Sequence, residues 1–329
     1  MSRPKPNETS SGFESPRTDE PLFQPSSEVW YKDGNTILIA GDEGFRVYAG
    51  MLSEQSSVFA DMLEIPLPAP QATHEGCPLV WISDSAVEMR YLLKSMLDPR
   101  YILKINQTLD LPALCSILRL STKYNVVHIR RRAIEALQHY FPTTLSAYYN
   151  ARERRRLSSG GVSTYFLLAN TCREANANVL LPSILYSCSA QQLDTILDGV
   201  PDSHQGRVEL SHKNKSAVIQ SRHQLAHLAR TGTLRWLYSG EGCSDKRCVA
   251  IRRRVGARLL EGRSIDGFVN PLSTFNDALV ELIDGDCCEA CQNAVERCVD
   301  NGREEVWKKV PSVFGLGSWD VLVKAYGQE

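Results

Sequence analysis

The sequence predicts an α+β fold in which a short mixed sheet flanked by helices is followed by a mostly α-helical C-terminal region. Two observations lead to this fold class. Two short apolar runs, 36–40 and 44–48, are joined by the turn residues Gly41-Asp42-Glu43 and predict a β-hairpin. From Val162 onward, apolar residues recur mostly at helical spacing.

Composition limits the class of protein and its partners. The chain has 329 residues, of which 43% are hydrophobic and 23% are charged, as is usual for a globular protein. Its formal net charge of −1 provides no overall field that would attract nucleic acid or a membrane surface. No apolar run approaches the roughly 20 residues that span a bilayer, and no signal-peptide core precedes residue 20. The ten cysteines are therefore expected as reduced thiols, in a cytoplasmic or nuclear protein.

Turn, capping and proline residues predict the bounds of the first elements along the chain. Residues 1–25 are rich in Pro, Ser and charged side chains and predict a disordered N-terminal tail. After the hairpin, Ser53 is expected to cap a helix that runs to about Leu63. Three closely spaced prolines then predict an irregular loop over 65–77.

A strand and three helices complete the N-terminal half. Residues 79–82 form a short apolar run that is typical of a buried strand. Ser83-Asp84-Ser85 offers an N-cap for the next helix, which Pro99 closes. Two further amphipathic helices, at 111–124 and 127–140, are joined by a tight turn and predict an αα-hairpin.

The second half is predicted to be a linker and a set of helices. Residues 143–161 are basic and contain Gly and Ser, which indicates an exposed linker. Residues 162–329 form the helical C-terminal region. Its longest candidate helices are 220–237, 248–260 and 289–310, the last of which Pro311 is expected to stop.

No catalytic pattern is present. The sequence lacks the nucleophile elbow, the dinucleotide- and phosphate-binding glycine loops and the His-Glu-x-x-His helix, so the chain is predicted not to be an enzyme. His223 and His227 have the i, i+4 spacing of metal ligands, but no third ligand accompanies them and a surface role is expected.

Two pairs of cysteines form the candidate metal site. Cys243 and Cys248 are four residues apart, and Cys288 and Cys291 are two residues apart, which are spacings that suit tetrahedral Zn²⁺. Cys287 and Cys298 compete as ligands, and the interval between the pairs is longer than in small zinc ribbons. Three interpretations stay open: a zinc site, buried free thiols and a disulfide.

Three basic runs are candidates for contacts with nucleic acid or with import receptors. The run 130–132 lies on a helix and spreads around it, which predicts solvated surface. The run 152–156 is a weak candidate for nuclear localisation in the predicted linker. The run 252–254 lies on a helix beside a cysteine pair, but the neutral overall charge makes nucleic acid an unlikely partner in this prediction.

Several motifs occur in order in the N-terminal half. The second strand reads Phe45-Arg-Val-Tyr48, the helix after it reads Ser57-Val-Phe-Ala-Asp-Met62, and Leu120-Ser-Thr-Lys-Tyr124 precedes the last helix. Together with Trp30-Tyr-Lys-Asp-Gly-Asn35 ahead of the hairpin, this order resembles the BTB/POZ domain, and most closely the type found in mushroom-forming (basidiomycete) fungi. The resemblance implies a BTB/POZ domain at 26–142.

The resemblance also implies a function. BTB/POZ domains commonly form homodimers through the first helix and the N-terminal strands, which makes Val29, Trp30, Met51 and Leu52 the interface candidates, as an apolar patch left after monomer folding. The expected function is non-enzymatic protein–protein interaction that requires no cofactor, with the C-terminal helical region recruiting a partner protein. The alternatives are a zinc-containing transcriptional regulator and a substrate adaptor of a Cullin-3 ubiquitin ligase, although the acidic hydrophobic-x-Glu element of Cullin-binding relatives is missing.

Overall fold

A computed structural model describes residues 23–65, 72–108, 110–152, 155, 161–202, 206–237, 245–261, 270–272 and 287–328. Within these residues the chain is α+β, as predicted, with a small sheet in the N-terminal half and a helical C-terminal half. In this part of the chain, no helix combines the length and the apolar character needed to cross a membrane.

The strands form one mixed sheet and one separate hairpin. They are β1 (Gln24–Trp30), β2 (Thr36–Ala40), β3 (Glu43–Val47), β4 (Thr73–His74), β5 (Cys77–Ile82), β6 (Val200–Asp202) and β7 (Gly206–Val208). The sheet has the order β1-β3-β2-β5-β4, and β6 pairs with β7. β2 is antiparallel to β3 and parallel to β5, whereas β1 is parallel to β3. The predicted hairpin and third strand are therefore confirmed.

The helices account for most of the remaining chain. They are α1 (Ala49–Gln55), α2 (Ser57–Glu64), α3 (Ala86–Leu97), α4 (Tyr101–Thr108), α5 (Leu111–Lys123), α6 (Val127–Gln138), α7 (Leu145–Asn150), α8 (Gly161–Glu174), α9 (Leu181–Ser189), α10 (Leu193–Asp198), α11 (His212–Thr231), α12 (Lys246–Glu261), α13 (Glu289–Val313) and α14 (Trp319–Tyr326). A short 3-10 turn, Arg235–Leu237, follows α11.

Strand β1 begins inside the segment that was predicted as a tail. Phe23 is only 3% exposed and belongs to an apolar cluster on one face of the sheet, with Ile37 and Ile39 of β2. Gly44 in β3 makes this packing feasible, since a Cβ there would come within 2.3 Å of the Phe23 ring. The tail prediction for 1–25 is therefore wrong at its end, because the ring anchors β1 to the sheet; residues 1–22 lie outside the described chain.

The helix predicted to begin at Ser53 is two helices. α1 ends before Ser56, whose hydroxyl accepts a hydrogen bond from the Phe59 backbone N–H at 2.9 Å and donates one to the Tyr124 carbonyl. Ser56 thus caps α2 and ties it to the end of α5. The rings of Phe59 and Tyr124 stack at 4.5 Å between centroids, which fixes the same junction.

Asp84 joins two helices instead of capping one. The predicted N-cap triplet 83–85 precedes α3, but its Ser85 side chain makes no capping hydrogen bond. The Asp84 carboxylate instead accepts hydrogen bonds from Lys123 at 2.7 Å and from the Tyr124 hydroxyl at 2.6 Å. Burial and this carboxylate raise the pKa of Tyr124. A polar contact therefore fixes α3 against the end of α5.

The N-terminal and C-terminal halves share one continuous hydrophobic core. α8 packs against α5, where the Cys115 sulfur and the Thr171 hydroxyl oxygen are 3.1 Å apart. The Arg130 guanidinium donates to the Ala175 carbonyl at 2.8 Å. The prediction of a solvated surface run at 130–132 is therefore wrong for Arg130, because its side chain reaches the C-terminal half.

The predicted linker 143–161 contains helix α7 and a buried arginine. Arg155 is 8% exposed and donates to the carbonyls of Tyr140 at 2.7 Å and Tyr148 at 2.9 Å. Its guanidinium also lies 4.0 Å from the centre of the Tyr148 ring. Burial lowers the pKa of Arg155. Arg155 is therefore not available as part of an exposed nuclear-localisation run at 152–156.

We expect Arg155→Ala to lower the free energy of unfolding by about 2 kcal/mol, since it leaves buried carbonyl oxygens without a donor. Urea unfolding followed by circular dichroism measures this change. The matched control is Arg152→Ala, because Arg152 is exposed and lies on the same segment. Equal effects of the two substitutions would show that the buried contacts of Arg155 contribute nothing to stability.

Pro311 does not stop α13. The helix continues to Val313 and ends in a Schellman arrangement at Gly315, whose φ is 71°. A proline has no N–H, so the carbonyl four residues earlier, that of Trp307, loses its usual helical donor. The Trp319 indole N–H donates to this carbonyl at 2.8 Å. A contact from α14 therefore satisfies the group that Pro311 frees.

Candidate metal centre

Three thiols from two helices meet at one place. Cys248 lies in the first turn of α12, Cys288 is the N-cap residue of α13, and Cys291 follows in its first turn. Their three Sγ atoms all lie within 4.8 Å of one another. Cys248 and Cys291 are buried, and Cys288 is exposed. The cluster is therefore closed on the protein side and open to solvent on the other.

The start of α13 explains why two of these thiols converge. Cys288 has an extended backbone, with φ −67° and ψ 154°, and its carbonyl accepts from the backbone N–H groups of Cys291 at 2.9 Å and Gln292 at 3.1 Å. This turn leads both thiols of the Cys-x2-Cys pair to the end of the helix. The positive end of the α13 dipole also stabilises thiolates there.

A small apolar cluster positions the two helices beside the thiols. Ile251 of α12 and Val295 of α13 belong to the same cluster as Trp236 of the 3-10 turn, separate from the main core. This cluster holds Cys248, three positions before Ile251, near the beginning of α13. The thiols thus lie at the end of a local hydrophobic contact between the two helices.

Cys287 and Arg252 complete the surroundings of the thiols. The Cys287 side chain lies near that of Cys248 and packs against the small apolar cluster of Ile251 and Val295. Burial, together with the neighbouring Cys248 and Cys288, raises the pKa of the Cys287 thiol to about 11, and the nearby Arg252 opposes this shift. Arg252 is only 6% exposed. A buried cation beside the cluster favours negative charge on the sulfurs.

Thiolate sulfurs in this arrangement suit a soft divalent ion. Zn²⁺ takes four ligands at about 2.3 Å from each thiolate, so sulfurs around one ion lie about 3.8 Å apart in a tetrahedron. The separations within the cluster, all below 4.8 Å, are compatible with that figure. The residues present therefore fit a structural metal ion.

The sequence-predicted ligands have different outcomes. The structure brings Cys248, Cys288 and Cys291 together, whereas Cys243 lies outside the described residues. Cys287, considered from the sequence only as a competitor, contacts the cluster through Cys248. Cys298 is buried and packs in the apolar cluster with Val295, as a core residue.

The burial of the remaining histidines, arginines and cysteines shows which of them lie at the surface. His223 and His227 are both exposed on α11, in agreement with the predicted surface role. In the basic run of α12, Arg252 is buried, whereas Arg253 and Arg254 are exposed. The single cysteines in apolar patterns are all buried free thiols, as expected: Cys77, Cys115, Cys172 and Cys188.

The proposed interface candidates are not a single exposed patch. Val29 is 2% exposed and Leu52 is fully buried, so both belong to the monomer core. Trp30 is half-buried against Phe23, at 6.2 Å between ring centroids, and therefore has a local partner. Met51 is 42% exposed. The expectation that all four remain exposed after monomer folding is wrong, because the sheet and α1 bury two of them.

Other apolar residues near the first helices are exposed. Tyr31 is 37% exposed and Val58 is 36% exposed. The Tyr31 ring lies 5.2 Å from that of Tyr48, the residue that precedes α1. Sequence reasoning missed these residues, because Val58 occupies a helical position that reads as core and Tyr31 lies in a turn.

Comparisons of this chain with protein-family models, with curated proteins and with solved structures found no match.

Proposed function

We propose that the protein is a non-enzymatic protein–protein interaction module, with a self-associating BTB/POZ-type domain at residues 26–142 and a helical C-terminal region that recruits a partner. The observation that carries the proposal is the order of elements in the first half. The hairpin β2–β3, the helix pair α1–α2, strand β5, helix α3 and the helical hairpin α5–α6 follow one another as the sequence resemblance implies. The parallel pairing of β2 with β5 agrees with that arrangement.

Exposed apolar side chains support self-association through the first helices. Tyr31, Met51 and Val58 are exposed and come from the turn before β2, from α1 and from α2; α1 packs on α2, and the Tyr31 ring contacts Tyr48 at the start of α1. Exposed apolar side chains in adjoining segments favour burial against another protein surface. A second copy of the same surface would give an isologous two-fold dimer.

We expect Met51→Glu to convert a dimer into a monomer, because it places a charge in the proposed apolar interface. Analytical ultracentrifugation at about 10 µM, a concentration at which interfaces of standard size are usually formed, measures the change. The control is Val321→Glu, since Val321 is 61% exposed on α14 and lies outside the proposed surface. A wild-type protein that sediments as a monomer at this concentration would contradict self-association.

A second function is favoured by one observation. The exposed side chains of Arg253 and Arg254 lie on α12, the helix that carries Cys248 of the thiol cluster. A basic helix held by a metal centre could contact phosphates, as in a zinc-containing regulator of transcription. Fluorescence anisotropy with duplex DNA tests it: loss of binding in the double variant Arg253→Ala/Arg254→Ala supports this function, and no binding by the wild type excludes it.

A further inference from the structure

We propose that Cys248, Cys288 and Cys291 bind one Zn²⁺ ion, with Cys287 as the fourth ligand, and that this ion fastens α12 to the beginning of α13. These cysteines lie in a different part of the chain from the proposed self-association surface, so zinc binding and dimerisation can be tested separately.

Three thiols from distant positions in the sequence converge at this site. Cys248 and Cys288 are 40 positions apart in the sequence, yet their Sγ atoms and that of Cys291 lie within 4.8 Å of one another. Local helix geometry explains the approach of Cys288 to Cys291, but it cannot bring Cys248 to them. Three thiols that share one small volume, two of them buried, form a ligand set for a thiophilic ion.

Structural zinc sites are closed by four protein ligands, so the three thiols need one more. Cys287 is adjacent in sequence to Cys288 and lies near Cys248, although it is outside the group of three sulfurs that lie within 4.8 Å of one another. A bound ion would require the half-exposed side chain of Cys287 to turn toward these three sulfurs.

The surroundings of the thiols carry positive charge. Four thiolates around Zn²⁺ carry a net charge of −2, which is costly to bury without compensation. The N-terminus of α13, a helix of 25 residues, presents the positive end of its dipole to Cys288 and Cys291. Arg252 adds a buried cation close to Cys287. The protein therefore already supplies the charges that such a site needs.

Cys248 lies one helical turn before Ile251, the residue of α12 that packs in the small apolar cluster beside the 3-10 turn. A metal ion held between Cys248 and the two cysteines of α13 would therefore add a second contact between α12 and α13 next to this apolar one. The exposed thiol of Cys288 leaves a route by which the ion reaches the cluster.

The metal content of the full-length protein, purified under reducing conditions, tests the site. We expect about one equivalent of zinc in the wild type by mass spectrometry, and at least a tenfold loss of zinc content in Cys291→Ser. Cys298→Ser is the matched control, because Cys298 is a buried cysteine on the same helix outside the cluster. Less than about half an equivalent in the wild type, or equal loss in the control, would overturn the proposal.

Two further variants test the fourth ligand. Zinc affinity, measured by competition with a chromophoric chelator, is expected to fall at least about tenfold in Cys287→Ser and to stay unchanged in Cys243→Ser, since removal of one ligand weakens a four-ligand site. Co²⁺ bound to the wild type should show the visible absorption of four-sulfur coordination, and this spectrum should change in Cys287→Ser and stay unchanged in Cys243→Ser. The reverse pattern would assign the fourth position to Cys243 and overturn our choice of Cys287.

Hydrogen exchange tests the structural role without any substitution. Removal of zinc by a chelator is expected to speed amide exchange in α12 and the first turns of α13 at least tenfold, while α5 and α6 serve as an internal control and stay unchanged. Unchanged exchange in α12 would show that the ion does not fasten it.

Discussion

Replacement of Trp307 by alanine is expected to lower the free energy of unfolding by about 4 kcal/mol, the largest effect that we predict. The Trp307 ring is 4% exposed and lies 4.9 Å from Tyr148 and 5.0 Å from Trp319, measured between ring centroids. Its indole N–H donates to the Thr143 carbonyl at 2.9 Å. The substitution therefore leaves a cavity and an unsatisfied carbonyl where α13 and α14 meet the segment around α7.

Urea unfolding followed by circular dichroism, with fluorescence of the remaining tryptophans, measures the effect of Trp307→Ala. The control is Trp81→Ala, because Trp81 is 55% exposed and its loss should change stability by less than about 1 kcal/mol. A second unfolding transition in Trp307→Ala would further indicate that α13 and α14 have become uncoupled from the segment around α7. A change no larger than that of the control would contradict the role of Trp307 in joining them.

Replacement of Gly302 by alanine is expected to destabilise the protein by about 3 kcal/mol, even though alanine is the better helix former. Gly302 lies in the middle of α13, where a Cβ would stand 2.5 Å from the Thr233 backbone nitrogen and 2.6 Å from the Gly232 carbonyl carbon. Both atoms belong to the backbone after α11, so they cannot move aside as a flexible side chain could. The two segments would have to separate.

Gly50→Ala is the matched control for Gly302→Ala. Gly50 also lies in a helix, α1, but a Cβ there would meet no atom within 4 Å. We expect this variant to be more stable than the wild type by about 0.5 kcal/mol, since alanine loses less backbone entropy on folding. Thermal unfolding measures the change in stability of both variants. Changes of the same sign in the two variants would contradict the close approach of α13 to the end of α11.

The elements that the sequence predicts well are those with strong local signals. The helical hairpin α5–α6 was expected at 111–124 and 127–140, and its bounds agree within two residues. Asn125 between the helices has a φ of 50°, which ends α5 by a local conformation that asparagine tolerates. Periodicity and a turn residue are properties of short stretches, so they can be recognised before any tertiary contact is known.

The wrong predictions share a different physical origin. The sequence predicts Ser53 as a cap, whereas Ser56 caps α2 and also donates to the Tyr124 carbonyl, 68 positions away. Pro311 was expected to stop α13, but the indole of Trp319 satisfies the carbonyl that it frees. The sequence predicts Arg155 in an exposed linker, but its side chain is buried and donates to the carbonyls of Tyr140 and Tyr148. In each case a contact with another helix or segment overrides the local preference.

Local spacing identifies some cysteines of the candidate site, and tertiary contacts place the others. Spacing identified Cys288 and Cys291, because two residues between cysteines at a helix start bring the thiols together locally. Spacing could not decide among Cys243, Cys248 and Cys287, since their positions depend on how α12 lies against α13. The structure brings Cys248 to Cys288 and Cys291, through packing around Ile251 and Trp236.

By itself, the sequence determined the α+β class, the hairpin, the helical C-terminal half and the residue types of a thiol site, because these follow from backbone preferences and periodicity within short windows. Only the tertiary structure decided that both halves form one core, that Val29 and Leu52 are inside it, and that three cysteines meet. Burial and convergence depend on contacts between residues far apart in the chain. Those contacts are fixed by how all elements pack together, which no local pattern specifies.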